Sequence, residues 1–309
     1  MKELKIFSPA TVANVSCGFD ALGFALDSLG DEMTFRRSNI PGIRITKIEG
    51  AKLSFDINEN VVGVVAQAML KNRFEAIGID IEIYKKFKPG SGLGSSAASA
   101  SGTAYAVNEL VGRPFSFLEL TKFAMLGEEA ACGSQIADNV SAALYGGFVL
   151  VRSYDPLDII KLPTPDQLYV TVIHPQIEIR TKDARDVLND TVSLKDATTQ
   201  WANVGGLVSG LHSNDYELIS NSLRDVIVEP LRKQLIPHFD KVKQAAIRGG
   251  ALGAGISGSG PTIFALSKGK NTAEKVAQAM NNTYKDTGIN FEIHVSKINA
   301  DGIKILDQK

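Results

Sequence analysis

One stretch of the chain has the composition of an anion cradle: Pro89-Gly90-Ser91-Gly92-Leu93-Gly94-Ser95-Ser96-Ala97-Ala98-Ser99. Its glycines permit positive φ and close approach of the backbone to a ligand. A helix starting directly behind them aims unpaired N–H groups, and about half a positive charge, at whatever lies in front. That is the arrangement that binds phosphate. The spacing matches neither common phosphate loop. No Lys follows the last glycine as in a Gly-Lys-Ser/Thr loop, and the glycine interval is wrong for a dinucleotide fingerprint. By spacing alone two readings stand: a phosphate cradle, or a tight strand-to-helix turn before a closely packed helix of small residues.

Other polar residues have the chemistry to serve such a cradle. Glu128 and Glu129 are adjacent acids on a helix, normally solvent-facing. One of them turned toward the loop would be a natural Mg²⁺ ligand, because Mg²⁺ takes one or two carboxylates beside phosphate oxygens. Asp138, after Gln135-Ile136-Ala137, is either the N-cap of a short helix or a group pointing into a pocket. Asn14 and Asp20 are turn formers first, and both are also suited to a small polar ligand. Asn60 reads as a helix cap, and Arg185 as a surface residue. A second glycine run, Gly249 to Thr262, reads by itself as a strand-to-strand turn. Two such runs together suggest a cleft of bare backbone between domains. His174, His212, His238 and His294 are scattered, without metal-site spacing, and receive no role.

The elements that position these residues follow from hydrophobic period and capping signals. Strands are expected at 4–8, 31–37, 43–48, 79–84, 148–151, 168–173, 263–266, 290–297 and 302–306. Pro9 to Gly23 has loop composition. Helices are expected at 61–76, capped from Asn58-Glu59-Asn60, at 97–106, and from the Ser116-Phe117-Leu118-Glu119 capping box to about 132. A helix capped by Thr181, helical segments over 198–248 and a helix at 271–286 complete the set. Lys85-Lys86-Phe87-Lys88 reads as a solvated strand end that adds positive potential beside the loop. Turn-rich sequence from Tyr154 to Asp166 places a domain boundary, giving domains 1–160 and 161–309.

Composition narrows the function classes. With 309 residues, 33 basic and 34 acidic side chains and a net charge of −1, the chain has no basic excess to hold nucleic acid. Cys17 and Cys132 cannot form a disulfide framework, which suits a reduced cytoplasm. No signal peptide and no run of about 18 apolar residues is present, so no membrane partner is expected.

Several stretches resemble the GHMP small-molecule kinase family. Pro89 to Ser99 is similar to its phosphate loop, and Ile256-Ser257-Gly258-Ser259-Gly260-Pro261-Thr262 to its C-terminal glycine motif. Pro9-Ala10-Thr11-x-Ala13-Asn14-x-x-x-Gly18-Phe19-Asp20-x-Leu22-Gly23 is narrower. So are Ala137-Asp138-Asn139 ahead of Gly146-Gly147-Phe148, and Thr181-Lys182-x-Ala184-Arg185. These resemble the branch of the family that acts on L-homoserine. The resemblance implies an α+β, two-domain GHMP kinase fold. Its N-terminal domain is ribosomal-protein-S5-domain-2-like with a left-handed β-α-β element, and its C-terminal domain is ferredoxin-like. The implied reaction moves the γ-phosphoryl group of ATP to the side-chain hydroxyl of L-homoserine, giving O-phospho-L-homoserine for threonine synthesis. The implied companions are Mg²⁺ and a second copy of the chain in a homodimer.

The resemblance also assigns residues. ATP is expected on Asn60 and on Pro89, Gly90, Ser91, Gly92, Leu93, Gly94, Ser95, Ser96, Ala97, Ala98 and Ser99, with Gly258, Ser259 and Gly260 forming the second glycine motif. Mg²⁺ is expected on Ser96 and Glu128, with Glu129 as the alternative. The substrate carboxylate wants an Arg fork, Arg185 first and Arg232 second; Asn14, Asp20 and Asp138 take its ammonium and hydroxyl. The catalytic set is thus Asp138, Ser96 and Glu128. One departure stands out. The family commonly carries His two residues before the aspartate, and here that residue is Ile136. An imidazole base is therefore not expected; Asp138 or the γ-phosphate itself would take the hydroxyl proton.

Overall fold

The computed structural model describes every residue except Met1, Asn72, Arg73 and Glu75. The chain opens with β1 (Glu3–Ala13), whose side chains alternate inward until residue 8 and are buried on both faces from there to Ala13. The strand thus runs through Pro9-Ala10-Thr11, where composition suggested a loop. Small residues suit a strand that is covered on both sides. β2 (Leu22–Ser38) is likewise far longer than the expected 31–37. β3 (Gly42–Glu49), α1 (Val61–Leu70) and β4 (Gly78–Tyr84) follow. Asn60 caps α1 by accepting from the Val62 N–H at 3.0 Å. The helix ends at Leu70 rather than 76, and part of the remaining stretch lies outside the described residues.

Three helices and a hairpin come next: α2 (Ser95–Leu110), α3 (Phe117–Cys132), α4 (Asp138–Tyr145), β5 (Phe148–Tyr154) and β6 (Leu157–Leu162). The Ser116–Glu119 capping box forms as expected. Among the described residues these strands and β11 (Lys304–Gln308) make a seven-stranded sheet in the order β11-β1-β2-β4-β3, with β5 on β2 and β6 on β5. Its last member, β11, comes from the far end of the chain. β3 and β4 run parallel, joined through α1, and the other pairs are antiparallel. The Ala/Ser/Gly composition of α2 lets it lie close on the sheet. A Cβ on Gly102 would meet Met33 Sδ at 2.9 Å and Ser8 Cβ at 3.1 Å.

The second half contains β7 (Leu168–Pro175), α5 (Thr181–Asp186), α6 (Leu194–Ser213), α7 (Tyr216–Ser222), α8 (Glu229–Arg232), α9 (Phe239–Arg248), β8 (Gly253–Ile256), β9 (Ile263–Lys268), α10 (Lys270–Tyr284) and β10 (Phe291–Lys297). Its four strands are antiparallel in the order β10-β7-β9-β8. That is the order of a ferredoxin-like β-α-β-β-α-β unit, with several helices in the first crossover. Residues 154–166, expected as a boundary, carry the β5–β6 hairpin of the first sheet, and position 160 falls within β6. One hydrophobic cluster bridges the two halves: Phe24 packs on Phe148 at 4.8 Å and on Phe264 at 6.1 Å, beside Val12, Leu168, Val172 and Leu211. Burying such side chains contributes about 1.5–3 kcal/mol each, which fixes the two halves against one another around the site between them.

Candidate active site

β4 delivers the chain into the glycine loop, and Gly94 ends the loop as the N-cap of α2 in left-handed geometry (φ 66°, ψ 41°). The first helical bond is Ala98 N–H to the Gly94 carbonyl, 2.8 Å. The N–H groups of Ser95, Ser96 and Ala97 therefore have no partner within the helix. Gly92 has φ +79°, and a Cβ there would lie 2.6 Å from the Ser257 carbonyl oxygen and 2.7 Å from that of Gly260. A Cβ on Gly94 would lie 2.1 Å from Thr11 Oγ1.

The loop is braced from behind by two segments. Ser257 Oγ donates to the Gly92 carbonyl and Thr262 Oγ1 to the Ser91 carbonyl, both at 2.6 Å. Thr11 N–H reaches the Leu93 carbonyl at 3.0 Å, and Gly258 N–H the Ala13 carbonyl at 3.0 Å. The second glycine run holds the end of α9, β8 itself and, from Ser257 to Thr262, the turn between β8 and β9, which also supports the first run. The extension of β1 that composition disguised is what meets the loop. Lys85 corrects another expectation: it is no solvated strand end. Its side chain is 1% exposed, ion-paired to Asp31 beneath the first turn of α2.

In front of the loop lies a cavity of about 510 Å³ between the two halves. Pro89, Gly90, Gly92, Gly94, Ser95 and Ser96 form one wall; Asn14, Asp20, Glu128, Asp138, Arg185, Arg232, Gly258 and Ser259 are among the residues that face it. Thus residues as far apart in sequence as Asn14 and Ser259 converge on one space. Not every expected residue reaches it. Ser91, Leu93, Ala97, Ala98 and Ser99 are buried on the inner side of the loop and helix, and Gly260 does not line the cavity. Asn60 is also absent from its wall: its side chain caps α1 and donates to the Ser54 carbonyl at 2.7 Å. Sequence reasoning gave no role to Glu178, Ile179 and Lys182, which line the mouth on the segment leading into α5 and its first turn. Glu178 leans over the loop, its Cγ 3.1 Å from where a Cβ of Gly90 would stand. No motif marked it. None of the four histidines lines the cavity.

The acidic residues differ sharply in environment. Glu128 is buried in the wall, while Glu129 is exposed and accepts from Gln135 Nε2 at 2.7 Å. That distinguishes two neighbours the sequence left open. Burial pushes the Glu128 carboxyl up to about 7, opposed by the Ser96 hydroxyl and the Lys85 charge. Its Oε1 is buried without a hydrogen-bond partner. Asp138 is the first residue of α4, not its cap; Ala137 is the cap. Burial, then the negative charge of Asp20, lift Asp138 to about 7, against the Asn139 N–H it accepts at 2.8 Å. Among the described residues no three His, Cys, Asp or Glu side chains form a metal cluster. One orphaned carboxylate oxygen next to a hydroxyl is the donor set for a cation that keeps most of its ligands from phosphate and water, as Mg²⁺ does.

The opposite wall is cationic. Arg185 Nη2 donates to both carboxylate oxygens of Asp20 at 3.0 Å, and its Nε is buried without a partner. Arg232 is buried, its Nε on the Ala184 carbonyl at 2.8 Å and Nη1 on the Gly258 carbonyl at 3.2 Å. The Phe19 ring lies 5.7 Å from Arg185 Cζ and 4.9 Å from Arg232 Cζ. Asn14 and Asp20 both hold left-handed backbone, φ 58° and 52°. The Asn14 side chain is spent on structure: it accepts the Asp20 N–H at 2.8 Å and donates to the Gly258 carbonyl at 2.8 Å. Thr181 is the first residue of α5 behind an Arg180 cap, and does not cap it itself.

Two family models match the chain. GHMP kinases N terminal domain covers residues 60–147 and GHMP kinases C terminal covers 207–286. A homoserine kinase from Chlorobium phaeobacteroides is 46% identical over 99% of this chain and all of its own length. One from Methanococcus vannielii is 39% identical over 87% of this chain and 89% of its own. The crystal structure of homoserine kinase from Cytophaga hutchinsonii superposes with a TM-score of 0.95 at 52% identity, covering 99% of this chain and 98% of that one. The crystal structure of L. major mevalonate kinase, 17% identical with a TM-score of 0.74 over 95% of this chain and 96% of its own, shares the fold.

Proposed function

This chain belongs to the GHMP kinase family, and we propose that it transfers the γ-phosphoryl group of ATP to the side-chain hydroxyl of L-homoserine, forming O-phospho-L-homoserine. The observation that carries the reading is the pairing of two surfaces in one cavity. A helix N-terminus with bare N–H groups faces it from one side, and acids and arginines for a zwitterion face it from the other. Full-length likeness to homoserine kinases supports the substrate.

In this reading the N–H groups of the loop and of the first turn of α2 take the phosphate oxygens, and the helix end favours their charge. Ser96 and Glu128 would hold Mg²⁺, which when bound neutralises phosphate charge. Arg185 meets the substrate carboxylate with a planar fork, and Arg232 supports it from the same wall. Asp20 and Asp138 take the ammonium; Asn14 keeps the Asp20 backbone in place. A compound without the amino group would leave buried acid unpaired, which rejects simple alcohols. The reaction needs positioning and charge stabilisation above all. Ile136 offers no proton acceptor, so the hydroxyl proton passes to Asp138 or to the transferred phosphoryl oxygens.

The expected division at 160/161 moves to the end of β6: we propose functional halves that part after Leu162, with β11 returning to the first. The cytoplasm is the proposed location; among the described residues no helix is long and apolar enough to cross a membrane. Homodimer formation is proposed on family likeness, and sedimentation velocity tests it. The test of function is ADP release with ATP, Mg²⁺ and L-homoserine, against L-serine, D-homoserine and mevalonate. Turnover with L-homoserine at least tenfold above every other acceptor is expected. Equal or greater turnover with mevalonate would overturn the substrate assignment, and ATP binding without turnover on any acceptor would overturn the enzyme reading.

A further inference from the structure

The ion pair under the phosphate loop has no place in the chemistry above. Lys85 leaves the end of β4 and turns inward, and its side chain and that of Asp31 are 1% and 0% exposed. Its Nζ donates to Asp31 Oδ2, to the Ser95 carbonyl at 2.9 Å and to Ser99 Oγ at 3.2 Å. Two of its three acceptors therefore belong to the first turns of α2, on either side of Ser96. The other oxygen of Asp31 accepts the Lys86 N–H at 2.9 Å. The cation touches the helix that carries the cradle, and the anion touches the main chain just past β4.

A buried pair of this kind is costly to desolvate, and apolar residues of similar volume often hold a fold as well or better. Fold stability alone is thus a weak reason for its presence. Its location supplies another. The loop contains no lysine of its own, so nothing in front of the phosphates supplies fixed charge from this loop. Lys85 places a cation directly against the helix behind it, and its charge is felt as far as Glu128.

We propose that Lys85 is a positioning residue for the nucleotide. From behind the loop it pins the first turns of α2 and adds positive potential to the cradle, while Asp31 keeps it buried and aimed. The proposal rests on the nucleotide reading of the cleft. It distinguishes the two partners of the pair: both stabilise the fold, but only the lysine aids nucleotide binding.

Calorimetric titration of the full chain with a non-hydrolysable ATP analogue and Mg²⁺ tests this, with Tm and the KM for L-homoserine measured in parallel. The variants are Lys85→Met, Asp31→Asn and the double variant. Both single variants are expected to lower Tm. Lys85→Met should weaken the analogue at least tenfold, whereas Asp31→Asn, which keeps the acceptor for Lys86 N–H, should bind it as tightly as wild type or more tightly. The double variant should regain Tm relative to Lys85→Met yet stay as weak for the analogue, with the L-homoserine KM within about twofold. Equal weakening by the two single variants, or affinity returning together with Tm in the double variant, would overturn the proposal. If the Lys85 variants do not fold, Asp31→Asn decides: weaker binding overturns the proposal, and undiminished binding supports it. Wild type that fails to bind the analogue would instead overturn the nucleotide reading.

Discussion

At one end of the cleft, residues 89–96 present main chain; at the other, Asp20, Asp138, Arg185 and Arg232 present charge. The loop end works through space and dihedral angle. Three of its glycines, Gly90, Gly92 and Gly94, have positive φ, and two of them have no room for a Cβ. The charged end works through exchangeable pairs. Arg185 already holds both oxygens of Asp20, so an entering amino acid redistributes bonds between partners that are fixed in place. The loop end should therefore fail outright when altered, and the charged end should lose selectivity by degrees.

The largest effect is expected from Gly92→Ala. Left-handed strain plus contact with two carbonyl oxygens should weaken ATP roughly 10²-fold or more, equivalent to about 3 kcal/mol, read by calorimetry with Tm as control. Retained affinity would break the contrast, because the loop would then be adaptable. Arg185→Ala comes next. Loss of a charge-assisted fork should lower kcat/KM for L-homoserine by roughly 10–10²-fold and leave the KM for ATP nearly unchanged. Lysine should restore little of it, since it lacks the planar fork.

Asp138→Asn should raise the KM for L-homoserine more than it lowers kcat. A fall of about 10⁴-fold in kcat at unchanged KM would instead assign Asp138 as general base. The pH dependence sharpens the same point. Glu128 and Asp138 are both pushed up to about 7 by burial, so the free enzyme carries them protonated below that pH. kcat/KM should rise with pH through about 7. The stability of the ligand-free protein should move oppositely. A carboxyl whose folded value is raised favours the fold fully below its unfolded value near ~4, and that contribution is lost as pH rises through about 7. Glu128→Gln and Asp138→Asn should each flatten the fall in Tm. The smallest effect is Glu129→Gln, within about twofold of wild type in kcat/KM, as expected of an exposed surface group; a loss equal to that of Glu128→Gln would exchange their roles.

The loop end was readable in sequence because glycine spacing and the following small-residue helix are local signals. The charged end was readable only through motif likeness, since Asn14, Asp138 and Arg185 are brought together by contacts across both halves. What escaped were facts of burial. Lys85 sits in a run that looks solvated, and only the pairing of β2 with β4 carries Asp31 beneath it. Pro9-Ala10-Thr11 looked like loop because small residues covered on both faces lack alternation. Asn60 carried a cap signal and a motif likeness; the cap prevailed in the geometry. Nothing local separated Glu128 from Glu129, whose difference is which side of α3 faces the loop.

The most direct test is the crystal structure of the chain with Mg²⁺, a non-hydrolysable ATP analogue and L-homoserine. The β- and γ-phosphates are expected on the N–H groups of residues 90–96, the metal on Ser96 and Glu128, and the amino-acid carboxylate on Arg185. Phosphates bound away from the loop, or L-homoserine lying with its carboxylate turned from Arg185, would contradict this arrangement.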